Sequence, residues 1–161
     1  MDEKTGGPWR VKYNVPMPDF DVTYDLSTAT VTLRGLEERS QNLRLAHQMV
    51  GEMLYGNIMT NFEQEIDPYG VKWLENSPWT RNEKQRLGRI MKVLQSTGVM
   101  KARTSYRVLS DRVTIGNYDA KAYKHQEGIN TPQRIIIGVS EADLEDIRFT
   151  YYDYITGELG L

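Results

Sequence analysis

Two histidines and no cysteine bound the metal and nucleophile chemistry open to this chain. A zinc site draws Cys, His or carboxylate ligands at short, recurrent spacings, as in a His-Glu-x-x-His helix or paired Cys-x-x-Cys loops. Neither pattern occurs, and His47 and His125 stand far apart in the sequence. The lack of cysteine also excludes a disulfide framework, a thiolate ligand and a cysteine nucleophile, and fits a reducing compartment such as the cytoplasm. Glu63, Glu65 and Asp67 are a carboxylate trio that could hold a divalent cation or divide acid and base work. At the polar end of a helix such a trio reads more simply as a solvated cap. His125, beside Gly128 at the end of a short turn, reads as a hydrogen-bonded structural histidine, and His47 as part of a helix. No Gly-x-Ser-x-Gly elbow, phosphate-binding glycine loop or dinucleotide fingerprint is present. Catalysis, a cofactor and a metal are therefore not expected.

Charge is the other chemical resource. The formal net charge is -2, yet Arg81 to Lys124 holds eleven Lys or Arg against Glu83, Asp111 and Asp119. Glu141 to Leu161 carries six acids opposed only by Arg148. With Tyr106, Tyr118 and Tyr123 interleaved, the basic stretch could meet nucleic-acid phosphates. Much of it also suits the solvent face of an amphipathic helix. The polarity equally supplies two complementary faces for a head-to-tail contact between copies, with Lys101, Arg103 and Arg107 on one side and Glu141, Glu145 and Asp146 on the other.

The elements that must position these residues follow from periodicity. Residues 1–19 contain Gly6, Gly7, Pro8, Pro16 and Pro18 with isolated Trp9 and Tyr13, a composition that predicts an extended arm able to lie on a neighbour. Phe20, Val22, Tyr24 and Leu26, then Ala29, Val31 and Leu33 after a turn at Ser27-Thr28, have the period-two pattern of a hairpin. From Leu36 the period becomes helical through Leu43, Ala46, Val50, Leu54, Ile58 and Phe62, ending before Asp67-Pro68. Thr80 and Glu83 have capping-box spacing for a helix that turns Leu87, Ile90, Met91 and Leu94 inward and ends near Gly98. A second hairpin places Ala102, Thr104, Tyr106 and Val108 on one face, turns at Ser110 to Arg112, and returns through Val113 and Ile115 to Gly116-Asn117. In it Arg103 and Arg107 point away from the core face. Gly98 and Gly116 stand where elements stop and are expected to hold backbone that a side chain would strain. A helical turn at Ala120 to Gln126, a loop, a short strand at Arg134 to Gly138, and a last helix opened by Ser140 and Asp143 complete the chain. Leu144, Ile147, Tyr151 and Tyr154 form that helix's inner stripe.

The expected architecture is α+β: one long amphipathic helix and shorter helices packed on antiparallel hairpins, with a single domain over residues 20–155 and a tail at 156–161. No apolar run approaches the roughly 20 residues a membrane span needs, so no membrane partner is expected.

Read in order, Gly70-Val71-Lys72-Trp73, Leu94-Gln95-Ser96-Thr97-Gly98, Asp111 to Gly116, Ala122-Tyr123 with His125-Gln126 and Gly128, and Pro132-Arg134-Ile136-Gly138-Ser140 form a motif series. The series resembles the phage virion morphogenesis family, the tail completion proteins of Mu-like and P2-like tailed bacteriophages. The resemblance implies a structural role at the head-tail junction or the head-proximal end of the tail, in several copies forming a ring. It further implies a location in the virion, other neck and tail proteins as neighbours, and DNA in the central passage. The alternatives are a tail terminator or head-closure ring, a small nucleic-acid-binding protein using residues 81–124, and an enzyme with an unrecognised site.

Overall fold

The computed structural model describes residues 27–158, with side chains from residue 33 onward. The elements are α1 Ser27–Gln41, α2 Arg44–Gln64, α3 Pro78–Arg86, α4 Val99–Ala102, β1 Thr104–Val108, β2 Val113–Asn117, α5 Ala120–Glu127 and α6 Glu141–Thr156. The fold is α+β, as expected. The arm at 1–19 and the first strand of the anticipated N-terminal hairpin lie outside the described residues. Its return strand does not form: Ala29, Val31 and Leu33 belong to α1. The pattern misleads because helical spacing also links Ala29 to Leu33 and Leu33 to Leu36.

The central element is α2. Ala46, Val50, Leu54, Ile58 and Phe62 recur every four residues and are all buried, so one stripe of the helix is the floor of the core. The anticipated helix from Leu36 is interrupted at Asn42-Leu43 and divides into α1 and α2. At the other end Glu65 takes a left-handed conformation, φ 58°, and stops α2 before Asp67-Pro68. The Asp67 carboxylate then accepts the N–H groups of Tyr69 and Val71 at 2.9 and 2.8 Å, which shapes the loop through Gly70, φ +83°. Asp67 is thus a loop staple and not part of a solvated trio.

The next helix differs from expectation at both ends. Ser77, not Thr80, is the N-cap of α3, with Pro78 in the first turn. The helix stops at Arg86 because Gly88 turns left-handed, φ +62°, and Arg89 N–H bonds back to the Lys84 carbonyl at 2.8 Å. Residues 88–97 are irregular, so Leu87, Ile90 and Met91 are exposed, while Val93 and Gln95 are buried. Tertiary bonds replace helical ones: Gln95 Nε2 donates to the Phe62 carbonyl at 2.6 Å and the Glu65 carboxylate accepts Val93 N–H. Gly98, φ +76°, then opens α4. That helix claims Ala102, so β1 begins two residues later than the alternation suggested.

β1 and β2 pair antiparallel with Tyr106 opposite Ile115 and Val108 opposite Val113. The hairpin lies against α2 at Gly51, where an added Cβ would stand 2.5 Å from Tyr106 Cδ2 and 3.0 Å from Val113 Cγ2. Gly116 is inside β2 with no left-handed φ and open space around it, so its expected strain is absent. Arg134 to Gly138, read as a short strand, pairs with no strand. Ser140 and Asp143 form the anticipated capping box at α6, and Asn57 Nδ2 donates to the same Asp143 carboxylate at 2.7 Å, fastening α6 to α2. His47 is a structural group here, bonded through Nδ1 to the Leu109 carbonyl at 3.2 Å and edge-on to Tyr151.

Candidate assembly surfaces and a motif-lined groove

Two of the motif residues, Gln126 and Trp73, hold the segment 134–138 in place. Gln126 Oε1 accepts the N–H groups of Ile136 and Ile137 at 2.8 and 3.1 Å, and its Nε2 donates to the Ile137 carbonyl at 2.9 Å. Trp73 Nε1–H donates to the Ile135 carbonyl at 2.9 Å while its ring meets Phe62 edge-on. Side chains thus do what a neighbouring strand would do: they satisfy the buried backbone of a segment with no ladder partner. That accounts for a strand-like sequence without a strand.

Arg134 ties the same segment to the loop after Trp73. It is only 6% exposed; its Nε donates to the Leu74 carbonyl at 2.9 Å and an Nη to the Glu75 carbonyl at 3.2 Å. Another Nη faces His125 Nδ1 at 3.4 Å, so that nitrogen must be the unprotonated acceptor. Burial, and then the Arg134 charge, hold the His125 pKa below the usual imidazole value. Gly128 caps α5 with φ 73°, and a Cβ there would press on Gln133. Trp73, Gln126, His125, Arg134, Gly70, Gly98 and Gly128 are therefore bracing residues. Tyr123, Thr97 and Pro132 are exposed.

Of these braces His125 and Arg134 line a groove of about 590 Å³, which they and the motif residues Thr97 and Pro132 share with Lys84, Asp119 and Lys121. Lys84 was not singled out by the sequence, where it reads as one more solvent-facing lysine of a helix. It is 5% exposed, its Nζ donates to the Lys92 carbonyl at 2.7 Å, and burial lowers its pKa.

The charged faces separate differently from the sequence expectation. Lys101 pairs with Glu63, which also holds Lys92 at 2.5 Å, so Lys101 is neutralised within its own chain. The two lysines draw the Glu63 pKa down from 4.5 to about 2, the Lys101 hydrogen bond contributing most. Glu63 and Glu65 thus have separate partners and form no shared cation site. Arg103 is the residue after α4, not an alternating strand position, and lies 3.8 Å from Asp119. Arg107 alone keeps the predicted arrangement, exposed on β1 and without an ion-pair partner among the described residues. Glu141, Glu145 and Asp146 are exposed in the first turns of α6 and likewise unpaired among the described residues. Trp9 and Tyr13 lie outside the described residues. Among the described residues no helix is long and apolar enough to cross a membrane.

A family model described as the phage virion morphogenesis family matches residues 24–155. No curated protein and no solved structure matches the chain.

Proposed function

The chain belongs to the phage virion morphogenesis family, and on that premise we propose that it is a tail completion or neck protein, assembling as a ring around the DNA passage at the head-tail junction. Virion morphogenesis is the family's work. The position in the particle and the ring are our reading.

The observation that carries the reading is the pairing state of the surface charges. Within the described residues, Lys92 and Lys101 are matched by Glu63, Arg103 by Asp119 and Arg81 by Glu75. Arg107 on the hairpin and the acidic start of α6 are unmatched and belong to different elements. A closed ring needs two different, complementary patches on each subunit, and these two have opposite sign. Surface ion pairs contribute little to folding, about 0–1 kcal/mol, so such residues are free to set register and partner choice.

Charge reversal tests the contact. Arg107→Glu is expected to shift the full-length protein toward smaller species in sedimentation velocity, and Glu145→Arg on the same chain to restore part of the oligomer. If Arg107→Glu assembles as the wild type does and only DNA retention in virions falls, Arg107 faces the passage and the interface reading fails. The DNA reading is favoured by the same arginine's sign, since phosphates attract it equally.

A further inference from the structure

We propose that the motif-lined groove is a receptor for an acidic segment of a neighbouring copy, and that the segment is Asp19 to Leu26. The proposal rests on the assembly reading above and names the contact that would join the copies.

Two cations stand against this groove at under a tenth of their exposed area, Lys84 at 5% and Arg134 at 6%. Their donors meet carbonyl groups and a neutral imidazole, which satisfy hydrogen bonds but do not cancel charge. A buried charge without a counter-charge is costly. The two acids on the same walls have other partners: Glu75 is 3.1 Å from Arg81 and Asp119 faces Arg103. Lys121, exposed at the rim, has no carboxylate in ion-pair range among the described residues. Lys84, Lys121 and Arg134 therefore surround a cavity of ligand size with no carboxylate in ion-pair range of any of them among the described residues, Glu65 acting on Lys84 only from longer range.

The walls choose between anions. Leu74, Leu94, Val99 and Met100 line the groove beside the cations, apolar surface that a run of phosphates would leave uncovered. A carboxylate flanked by apolar side chains fits both features. Asp19-Phe20-Asp21-Val22-Thr23-Tyr24-Asp25-Leu26 alternates acid and apolar residues with one threonine interposed. An extended chain of that pattern offers carboxylates on one face and apolar groups on the other. The return strand expected to pair with it is helix α1 instead.

The chain has no cysteine, so a mixed-disulfide experiment has no background. Full-length Asp21→Cys and full-length Thr97→Cys proteins are mixed under mild oxidation and the covalent heterodimer is quantified. The heterodimer is expected to form, and to fall about tenfold when the Thr97→Cys copy also carries Lys84→Met or Lys121→Glu, the loss of one charge-assisted contact. Lys84→Met keeps the side-chain length without the buried charge; Lys121→Glu is exposed and leaves the fold unaffected. Absence of the heterodimer, yield indifferent to both charge changes, or closure within a single Asp21→Cys/Thr97→Cys chain overturns the proposal. So does suppression by duplex DNA at constant ionic strength, which assigns the groove to phosphodiesters. Light scattering on the wild type separates the two layers: an oligomer without the cross-link removes this docking and leaves the assembly reading standing.

Discussion

Replacing Gly51 by alanine sets two effects of known sign against each other within α2. In an unhindered helix interior the change stabilises by about 1 kcal/mol, because glycine loses more backbone freedom on folding. At Gly51 the new Cβ would stand 2.5 and 2.9 Å from two ring carbons of Tyr106 and 3.0 Å from Val113 Cγ2. The ring has little room to retreat, since it packs against Tyr55 and its hydroxyl reaches Glu52. Overpacking of this kind costs roughly 1–3 kcal/mol, so the net result is a loss of up to about 2 kcal/mol. Gly56, five residues further along the same helix, has nothing within 4 Å, and Gly56→Ala is expected to give the full gain. Urea unfolding of the two variants measures the difference, with a shift in melting temperature of roughly 2–4 °C per kcal/mol at this chain length. If Gly51→Ala stabilises as much as Gly56→Ala does, the hairpin is not seated on α2 as described, and Arg107 is not where the assembly reading needs it.

Three further outcomes follow from individual contacts. Gly98→Ala is expected to destabilise by about 1 kcal/mol or more because φ is +76°, whereas Gly116→Ala is tolerated; equal melting temperatures for the pair would remove the left-handed assignment. Glu63 has a depressed folded pKa, so its contribution is present above the unfolded value of 4.5 and is lost as pH falls toward about 2. The stability gap between wild type and Glu63→Gln should narrow over that window and shrink in high salt, and a gap that widens on acidification would contradict the Lys92 and Lys101 pairing. His125 has a lowered folded pKa, so the unfolded chain binds its proton more readily and stability is lost as pH falls below about 6.5; His125→Gln should flatten that slope in pH-dependent denaturation.

The sequence was most legible where local chemistry decides structure. The α2 stripe, the hairpin turn at Ser110 to Arg112, the Gly128 cap and the Ser140-Asp143 capping box all follow from residues a few positions apart. It failed where a distant partner decides. Leu87, Ile90 and Met91 have helical spacing, but Gly88 turns the chain, and Phe62 and Glu65 hold the loop that follows through Gln95 and Val93. Arg134 to Gly138 reads as a strand because Ile135, Ile136 and Ile137 make a short β-branched apolar run, yet Gln126 and Trp73 side chains take the ladder's place. The charge faces were half legible. Sign and segment could be read, but Lys101 proved to be matched by Glu63 and Arg103 to lie opposite Asp119, pairings that only the folded chain reveals. Lys84 gave no signal at all, since burial of one lysine in a polar helix depends on what covers it.

The most direct test of the account is the particle mass of the purified full-length protein, followed by light scattering over a wide concentration range without DNA. A virion ring protein is expected to give one discrete oligomer, a whole-number multiple of the chain mass, whose population falls with Arg107→Glu and in high salt. A strictly monomeric chain at every concentration, unchanged by either perturbation, would contradict it.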